Sequence, residues 1–203
     1  MTHFDNKKDV YQVYNSIADW IDDHRCKDLS LEKHYIHFIQ KNIPTHGKIL
    51  DVGCGTGVPI AQFFIDHGYC VTGIDASIKM IERCKKQFPN QQWILSDMRT
   101  FISDEEFDLV IAWHSFFHLP HDDQRTTLKL FTTFLEKNGL LVFTSGPEYG
   151  EVWSDNGSEN LYHASLSSDE YKKILSDNDC DVLIHNINDS ECGGATVWIA
   201  KKR

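Results

Sequence analysis

The sequence predicts an α/β protein built on a doubly wound, mostly parallel sheet of seven strands, with an antiparallel C-terminal strand and an N-terminal helical lid. Three observations carry that prediction. Short apolar runs alternate with stretches of helical period through residues 48–144. The first run passes straight into a glycine-rich turn, Gly53-Cys54-Gly55-Thr56-Gly57. Past residue 180, two strand-like runs follow one another across Gly193-Gly194 with no helix between them, so they are expected to pair antiparallel.

The elements follow in order. Val10, Val13, Tyr14, Ile17 and Ile21 recur at helical spacing, as do Leu31, Tyr35, Phe38 and Ile39. Pro44 and Gly47 close this region. Residues 48–52 read as a buried strand and 59–67 as a helix stopped by Gly68. A strand over 69–74, a helix over 77–87 ending before Pro89, and strands over 92–95 and 107–113 continue the alternation. A helix over 122–136, terminated by Asn138-Gly139, leads to a fifth strand over 140–144. Residues 146–164 break the rhythm and are expected to form an irregular loop over one sheet edge. A helix over 168–176, capped by Ser167 or Ser168, precedes strands over 182–187 and 196–200. The 203-residue chain is read as one domain: lid 1–46, ligand-binding core 47–145, and a substrate loop, helix and strand pair over 146–203.

Charge and cysteine usage narrow the partners. A formal net charge of −10 repels phosphate backbones and anionic membranes, so no nucleic-acid or membrane partner is expected. No apolar stretch is long enough for a signal peptide or a membrane span. The six cysteines (Cys26, Cys54, Cys70, Cys84, Cys180 and Cys192) show no metal-type spacing. Cys70 and Cys180 lie in apolar runs, where a thiol acts as a small hydrophobe. The expectation is a cytoplasmic protein without disulfides, a monomer or homodimer, acting on a small molecule.

The glycine turn carries the first chemistry. Its glycines let the chain turn sharply and let a ligand lie against the peptide units, at the carboxyl end of a parallel strand where open α/β sheets bind ligands. A dinucleotide fingerprint requires Gly-x-Gly-x-x-Gly, whereas here position 58 is Val and the third glycine arrives one residue early, at Gly57. Asp51, two residues before Gly53, also suits a cationic ligand better than a pyrophosphate. Asp75 ends the second strand about 20 residues after the turn, where an acid can accept both ribose hydroxyls. Capping of the following helix is the lesser reading beside the glycine turn.

Residues 49–144 resemble the Rossmann-like core of the class I S-adenosylmethionine-dependent methyltransferases. Residues 49–57 are similar to that family's first motif, and 73–80, with Asp75, Ala76 and Met80, to its ribose-binding motif. Ser96-Asp97-Met98 resembles the adenine-contacting motif, and 107–119 the fourth strand and the turn after it. The resemblance implies S-adenosylmethionine as cofactor, held by Asp51, Gly53, Cys54, Gly55, Gly57, Asp75, Ala76, Asp97, Met98 and Trp113. Asp97 would bond the adenine amino group and the Met98 backbone a ring nitrogen. Met80 would pack on the adenine face, or simply in the core. Tyr14-Asn15-Ser16-Ile17-Ala18-Asp19-Trp20 is similar to a Tyr-x-x-Ile-Ala-x-x-Tyr segment of small-molecule methyltransferases, in which Tyr14 would close over the methionine end of the donor. Trp20 stands where a tyrosine is common, facing substrate or packing on the helix.

Methyl transfer needs in-line alignment and, for some nucleophiles, removal of a proton. His114, just past the fourth strand, is the candidate base because histidine titrates near neutral pH. His163 is the alternative base. Phe117, His118 and Tyr162 are expected near the acceptor, with a structural hydrogen bond the blander role for His118. Neither an Asn/Asp-Pro-Pro-Tyr/Phe element nor a magnesium-type aspartate set follows the fourth strand, so no metal is expected. Two other functions stay open: a nicotinamide-dependent oxidoreductase, and a methyltransferase-like domain that binds without catalysing.

Overall fold

The computed structural model describes residues 7, 9–24, 27–156 and 159–203, with the side chains of 19, 21–24, 155 and 156 outside the description. Cys26 lies outside the described residues. Among the described residues, nine strands and six α-helices follow in chain order: α1 (Val10–His24), α2 (Lys33–Asn42), β1 (Lys48–Val52), α3 (Ile60–Asp66), β2 (Cys70–Asp75), α4 (Ile78–Gln87), β3 (Gln92–Leu95), β4 (Phe107–Ala112), α5 (His121–Thr133), β5 (Leu135–Ser145), β6 (Gly150–Asn156), β7 (Glu159–Ser165), α6 (Ser168–Asp177), β8 (Cys180–Asp189) and β9 (Ala195–Lys202).

Seven strands form one sheet in the order β3-β2-β1-β4-β5-β9-β8. β1 lies parallel between β2 and β4, and β5 extends the parallel set. β9 runs antiparallel to both β5 and β8. The order reverses between β1 and β4, which opens a crevice at their carboxyl ends. Each sheet face is buried. Ile49, Leu109, Ile111, Val142 and Ile199 pack beneath α2 and α3, and Leu50, Val110, Phe143 and Trp198 beneath α5 and α6. Fully buried β-branched and aromatic runs such as β4 are what a strand covered on both faces requires.

The helices begin where their caps stand. Ser77 accepts the Met80 N–H to start α4 and Ser167 the Glu170 N–H to start α6. Asp169 and Glu170 then face the positive end of the α6 dipole.

Four expectations are corrected. Residues 146–164 are not an irregular loop: β6 and β7 form an antiparallel hairpin from Gly150↔Ser165 to Asn156↔Glu159. Its sequence lacks clean apolar alternation because the successive residues Leu161 and Tyr162 bury both faces of β7, while their neighbours Val152 and Trp153 leave both faces of β6 exposed. The helix after β4 stops at Thr133, and β5 begins at Leu135 rather than 140. Asn138-Gly139 therefore marks a register shift inside β5, between the Phe107↔Leu135 and Leu109↔Leu140 pairs, with Asn138 at φ +68°. Cys70 is exposed rather than buried, while Cys54, Cys84, Cys180 and Cys192 are buried free thiols. The N-terminal region is a lid only in part. α2 packs its Tyr35, Ile36 and Ile39 into the sheet core, and α1 alone reaches over the crevice.

Among the described residues, no helix is long and apolar enough to cross a membrane.

Candidate active site

The crevice is a cleft walled by α1, the turns after β1 and β4, and the ends of β2 and β3, at the switch point where open α/β sheets bind ligands. The glycine turn is built by backbone need. Gly53, Gly55 and Gly57 all have positive φ, at +68°, +55° and +79°, where a side chain is strained. Gly53 and Cys54 both donate to the Ile74 carbonyl, at 2.8 and 3.0 Å, which draws the turn across to β2. A Cβ on Gly53 would collide with the Ser115 side chain, itself fixed by a 2.6 Å bond from Oγ to the Val52 carbonyl. The turns after β1 and β4 are thus in direct contact.

Asp75 stands at the cleft wall. Its Oδ2 accepts the Gly55 N–H at 2.9 Å and its Oδ1 the Ser77 N–H at 2.8 Å. Ser77 Oγ in turn donates to Asn15 Oδ1 at 2.7 Å, tying α1 to the start of α4. Asp97 is clasped by Arg99, whose Nη2 reaches Oδ2 at 2.5 Å while Nη1 reaches Asp123 at 3.0 Å. Burial works to raise the pKa of Asp97, but the Arg99 hydrogen bonds prevail and hold it below the usual carboxylate value.

His118 closes the cleft toward the hairpin. Its Nδ1 lies 2.9 Å from the Tyr162 carbonyl and its Nε2 2.7 Å from the Tyr14 hydroxyl. Enclosure by protein lowers its pKa to about 3, so the ring is neutral. His114 sits at φ +51°, a conformation histidine tolerates better than branched residues. Its N–H donates to Thr144 Oγ1 at 2.9 Å. His114 lines both the cleft and a second cavity, which Phe117, Ser145 and His163 also line. Those three in turn line a third cavity bounded by the hairpin, at Glu148 and Glu151. Burial lowers the pKa of His163.

Of the residues expected to hold the donor, Tyr14, Gly53, Gly55, Asp75, Ala76, Met80, Asp97 and Met98 line the cleft. Met80 is also almost fully buried, so its two expected roles coexist. Asp51, Cys54, Gly57 and Trp113 do not line it. Asp51 is buried within β1, in register with Gly73 and Ile111. Cys54 joins the core cluster that holds Cys84 and Trp93, and Gly57 lies against Phe88 and Cys84. Trp113 turns into the core under α2, 6.1 Å from the Tyr35 ring, and its Nε1 is buried without a hydrogen-bond partner among the described residues.

Of the four expected acceptor contacts, Phe117 lines the outer cavities and His118 the donor cleft. Trp20 is 40% exposed and lines none of these cavities, because the helix face that packs inward belongs to Val10, Ile17 and Ala18. Tyr162 is buried, with its hydroxyl bonded to Glu151 at 2.6 Å, away from the cleft. The sequence reading missed Arg99, Ser115 and Thr144. An arginine two residues beyond an acid at a strand end was the one available signal. Among the described residues, no group of three His, Cys, Asp or Glu side chains is placed to hold a metal ion.

A family model described as a methyltransferase domain matches residues 49–139. The putative methyltransferase YqeM of Bacillus subtilis is 32% identical over 155 residues, covering 72% of this chain and 60% of that protein. Glycine N-methyltransferase of Oryctolagus cuniculus is 29% identical over 160 residues, covering 66% of this chain and 54% of that protein. The chain therefore spans little more than half the length of these curated relatives. Magnesium protoporphyrin IX methyltransferase from Synechocystis PCC 6803, solved with bound SAM, superposes with a TM-score of 0.74 at 15% identity over 100% of both chains. An amino pentose methyltransferase from Micromonospora echinaspora superposes with a TM-score of 0.70 at 16% identity, over 100% of this chain and 99% of the other. At those identities the likeness is one of fold.

Proposed function

The chain belongs to the class I S-adenosylmethionine-dependent methyltransferase family, and on that premise we propose that it transfers a methyl group to a small-molecule acceptor by in-line displacement. The observation that carries the reading is one cleft that gathers the glycine turn, Asp75 and Asp97 and shares His114 with a second cavity.

The cleft suits S-adenosylmethionine on its own chemistry. Gly53 and Gly55 present bare backbone on the cleft wall, against which a ligand can lie. Asp75 is oriented by two backbone N–H groups, and an ionised carboxylate offers about four acceptor positions, so ribose hydroxyls can be accepted alongside them. Asp97 is held as an anion at the adenine end, between Ser96 and Met98. Bound there, the sulfonium supplies an activated methyl group whose departure leaves a neutral thioether. The protein therefore needs no acid for the leaving group, and its work is positioning and, where required, taking a proton from the acceptor.

His114 is the side chain placed for that proton, since among the described histidines it alone borders both the donor cleft and the second cavity. His118 is spoken for by Tyr14 and Tyr162. His163 lies farther out, with Phe117 against its ring at 4.9 Å, and serves the acceptor's wall. Among the described residues the outer cavities are lined by Glu32, Glu148 and Glu151, the last already paired with Lys7, and by no lysine or arginine. That lining suits a neutral or cationic acceptor better than an anionic one.

Calorimetric titration with S-adenosylmethionine, S-adenosylhomocysteine and NAD tests the donor. Binding of the first two and not the third is expected, and binding of NAD alone would overturn the reading. A metabolite screen for released S-adenosylhomocysteine then separates an enzyme from a domain that only binds.

A further inference from the structure

The β6–β7 hairpin, inserted between β5 and α6, touches α1 at three places. Val10, Val13 and Tyr14 of the helix pack on Leu161, Tyr162 and Ala164 of β7. Lys7, just before the helix, pairs with Glu151 Oε1 at 2.8 Å, while Glu151 Oε2 accepts the Tyr162 hydroxyl at 2.6 Å. The third link is the imidazole of His118, which reaches Tyr14 on one side and the Tyr162 backbone on the other.

Proton accounting fixes the direction of that third link. A carbonyl oxygen only accepts, so His118 Nδ1 carries a hydrogen and donates it to Tyr162. In the neutral ring Nε2 is then a lone pair, and the Tyr14 hydroxyl donates to it. Tyr14 is thus held over the cleft in one orientation, with its donor capacity turned to His118. The ring of His118 also meets the rings of Phe117 and His163 at 4.8 and 4.7 Å, on the acceptor side.

We propose that His118 is a positioning residue through which the β6–β7 hairpin fixes Tyr14 as a wall of the donor cleft. This rests on the reading of the cleft as the S-adenosylmethionine site. The hairpin becomes the outer half of the lid, and the neutral imidazole is the hinge pin between lid and acceptor wall. His118 takes no part in the proton transfer assigned to His114; it acts through Tyr14.

The test is calorimetric titration of the full chain with S-adenosylhomocysteine, with thermal melts as a check on folding. Tyr14→Phe and His118→Phe should each weaken binding about tenfold, the worth of one hydrogen bond at the upper end of the neutral range. The double variant should be no weaker than either single one, because both remove the same link. His118→Gln should stay within about threefold of the parent, since its amide can donate to Tyr162 and accept from Tyr14. Additive losses, unchanged affinity in His118→Phe, or failure of Gln to rescue would overturn the proposal. If His118→Phe does not fold, Tyr14→Phe in the His118→Gln background decides. A loss equal to that of Tyr14→Phe alone supports the link, and no loss overturns it. A parent protein that binds no S-adenosylhomocysteine would instead sink the functional reading itself; a parent that binds, with variants that bind alike, sinks only the role of His118.

Discussion

Asp75 and Gly55 are joined across the mouth of the cleft by a 2.9 Å hydrogen bond, the glycine N–H donating to Oδ2. The same carboxylate accepts the Ser77 N–H on Oδ1, so one side chain ties the β1 turn to the start of α4. Asp75→Ala should strand both donors and cost about 2 kcal/mol or more in stability, since each bond is to a charged acceptor. S-adenosylhomocysteine affinity should fall at least tenfold. Asp75→Asn, which keeps one acceptor, should recover part of the stability and little of the affinity. Urea denaturation beside calorimetry checks both, and unchanged affinity in the Ala variant would remove Asp75 from the site.

The Gly53 turn makes a steric prediction. A Cβ there would meet Ser115 at a residue with φ +68°. Gly53→Ala should lose about 2 kcal/mol or more from the backbone and clash terms together and abolish measurable donor binding. Gly150→Ala is the control, because a Cβ there meets nothing within 4 Å; its stability should change by less than about 0.5 kcal/mol. Equal melting temperatures for the two variants would contradict the packing of the β1 turn on the β4 turn.

The low pKa of His118 has a signed consequence. Burial lowers it from 6.5 to about 3, so below pH 6.5 the unfolded chain binds a proton there that the folded chain refuses. Stability is fully present above pH 6.5 and is lost as pH falls toward 3. The loss reaches about 2 kcal/mol at pH 5 from this group alone. His118→Gln should flatten the stability profile between pH 6.5 and 5 when both proteins are unfolded in urea across that range. Parallel profiles would show that the ring is not held neutral.

Much of this site was legible because its chemistry sits at strand ends. Gly53 and Asp75 stand where an alternating β/α pattern brings residues to the sheet's ligand-binding edge, so spacing pointed to them, while Asp97 was reached through the family resemblance; all three line the cleft. Asp51, Cys54 and Trp113 were expected on the cleft but do not line it: Cys54 and Trp113 pack into the core cluster with α2 and α3, and Asp51 is buried within β1. The hairpin was invisible because β7 is buried on both faces, at Leu161 and Tyr162, while β6 is exposed on both, at Val152 and Trp153, so neither strand shows an alternating pattern. The Tyr14–His118 link spans 104 residues of sequence, and nothing local encodes it.

Arg99 offers a test of how the Asp97 side of the cleft is charged. It bonds Asp97 and Asp123 together, and burial of Asp97 opposes its ionised form. Arg99→Met keeps the apolar stem and removes the charge, so burial should carry the Asp97 pKa above its ordinary 3.8. In the parent, the contribution of Asp97 to stability is present above that value and lost as pH falls through its lowered folded pKa; in the variant it disappears. Carboxyl NMR titration reads the shift directly, with a loss of about 1–3 kcal/mol at pH 7 expected from the broken charged bonds. An Asp97 titration that does not move would show that Arg99 only packs.

The role of His114 turns on a variant that leaves its backbone undisturbed. At φ +51° an alanine would add strain, whereas asparagine is at home there and keeps the N–H bonded to Thr144. His114→Asn should therefore fold like the parent and bind S-adenosylhomocysteine within about twofold, because the donor contacts assigned to Asp75 and Tyr14 remain. With an acceptor found by the metabolite screen, turnover should fall about a hundredfold or more, the usual worth of a general base. Turnover preserved in His114→Asn would mean that the acceptor arrives already deprotonated and that the protein contributes alignment alone.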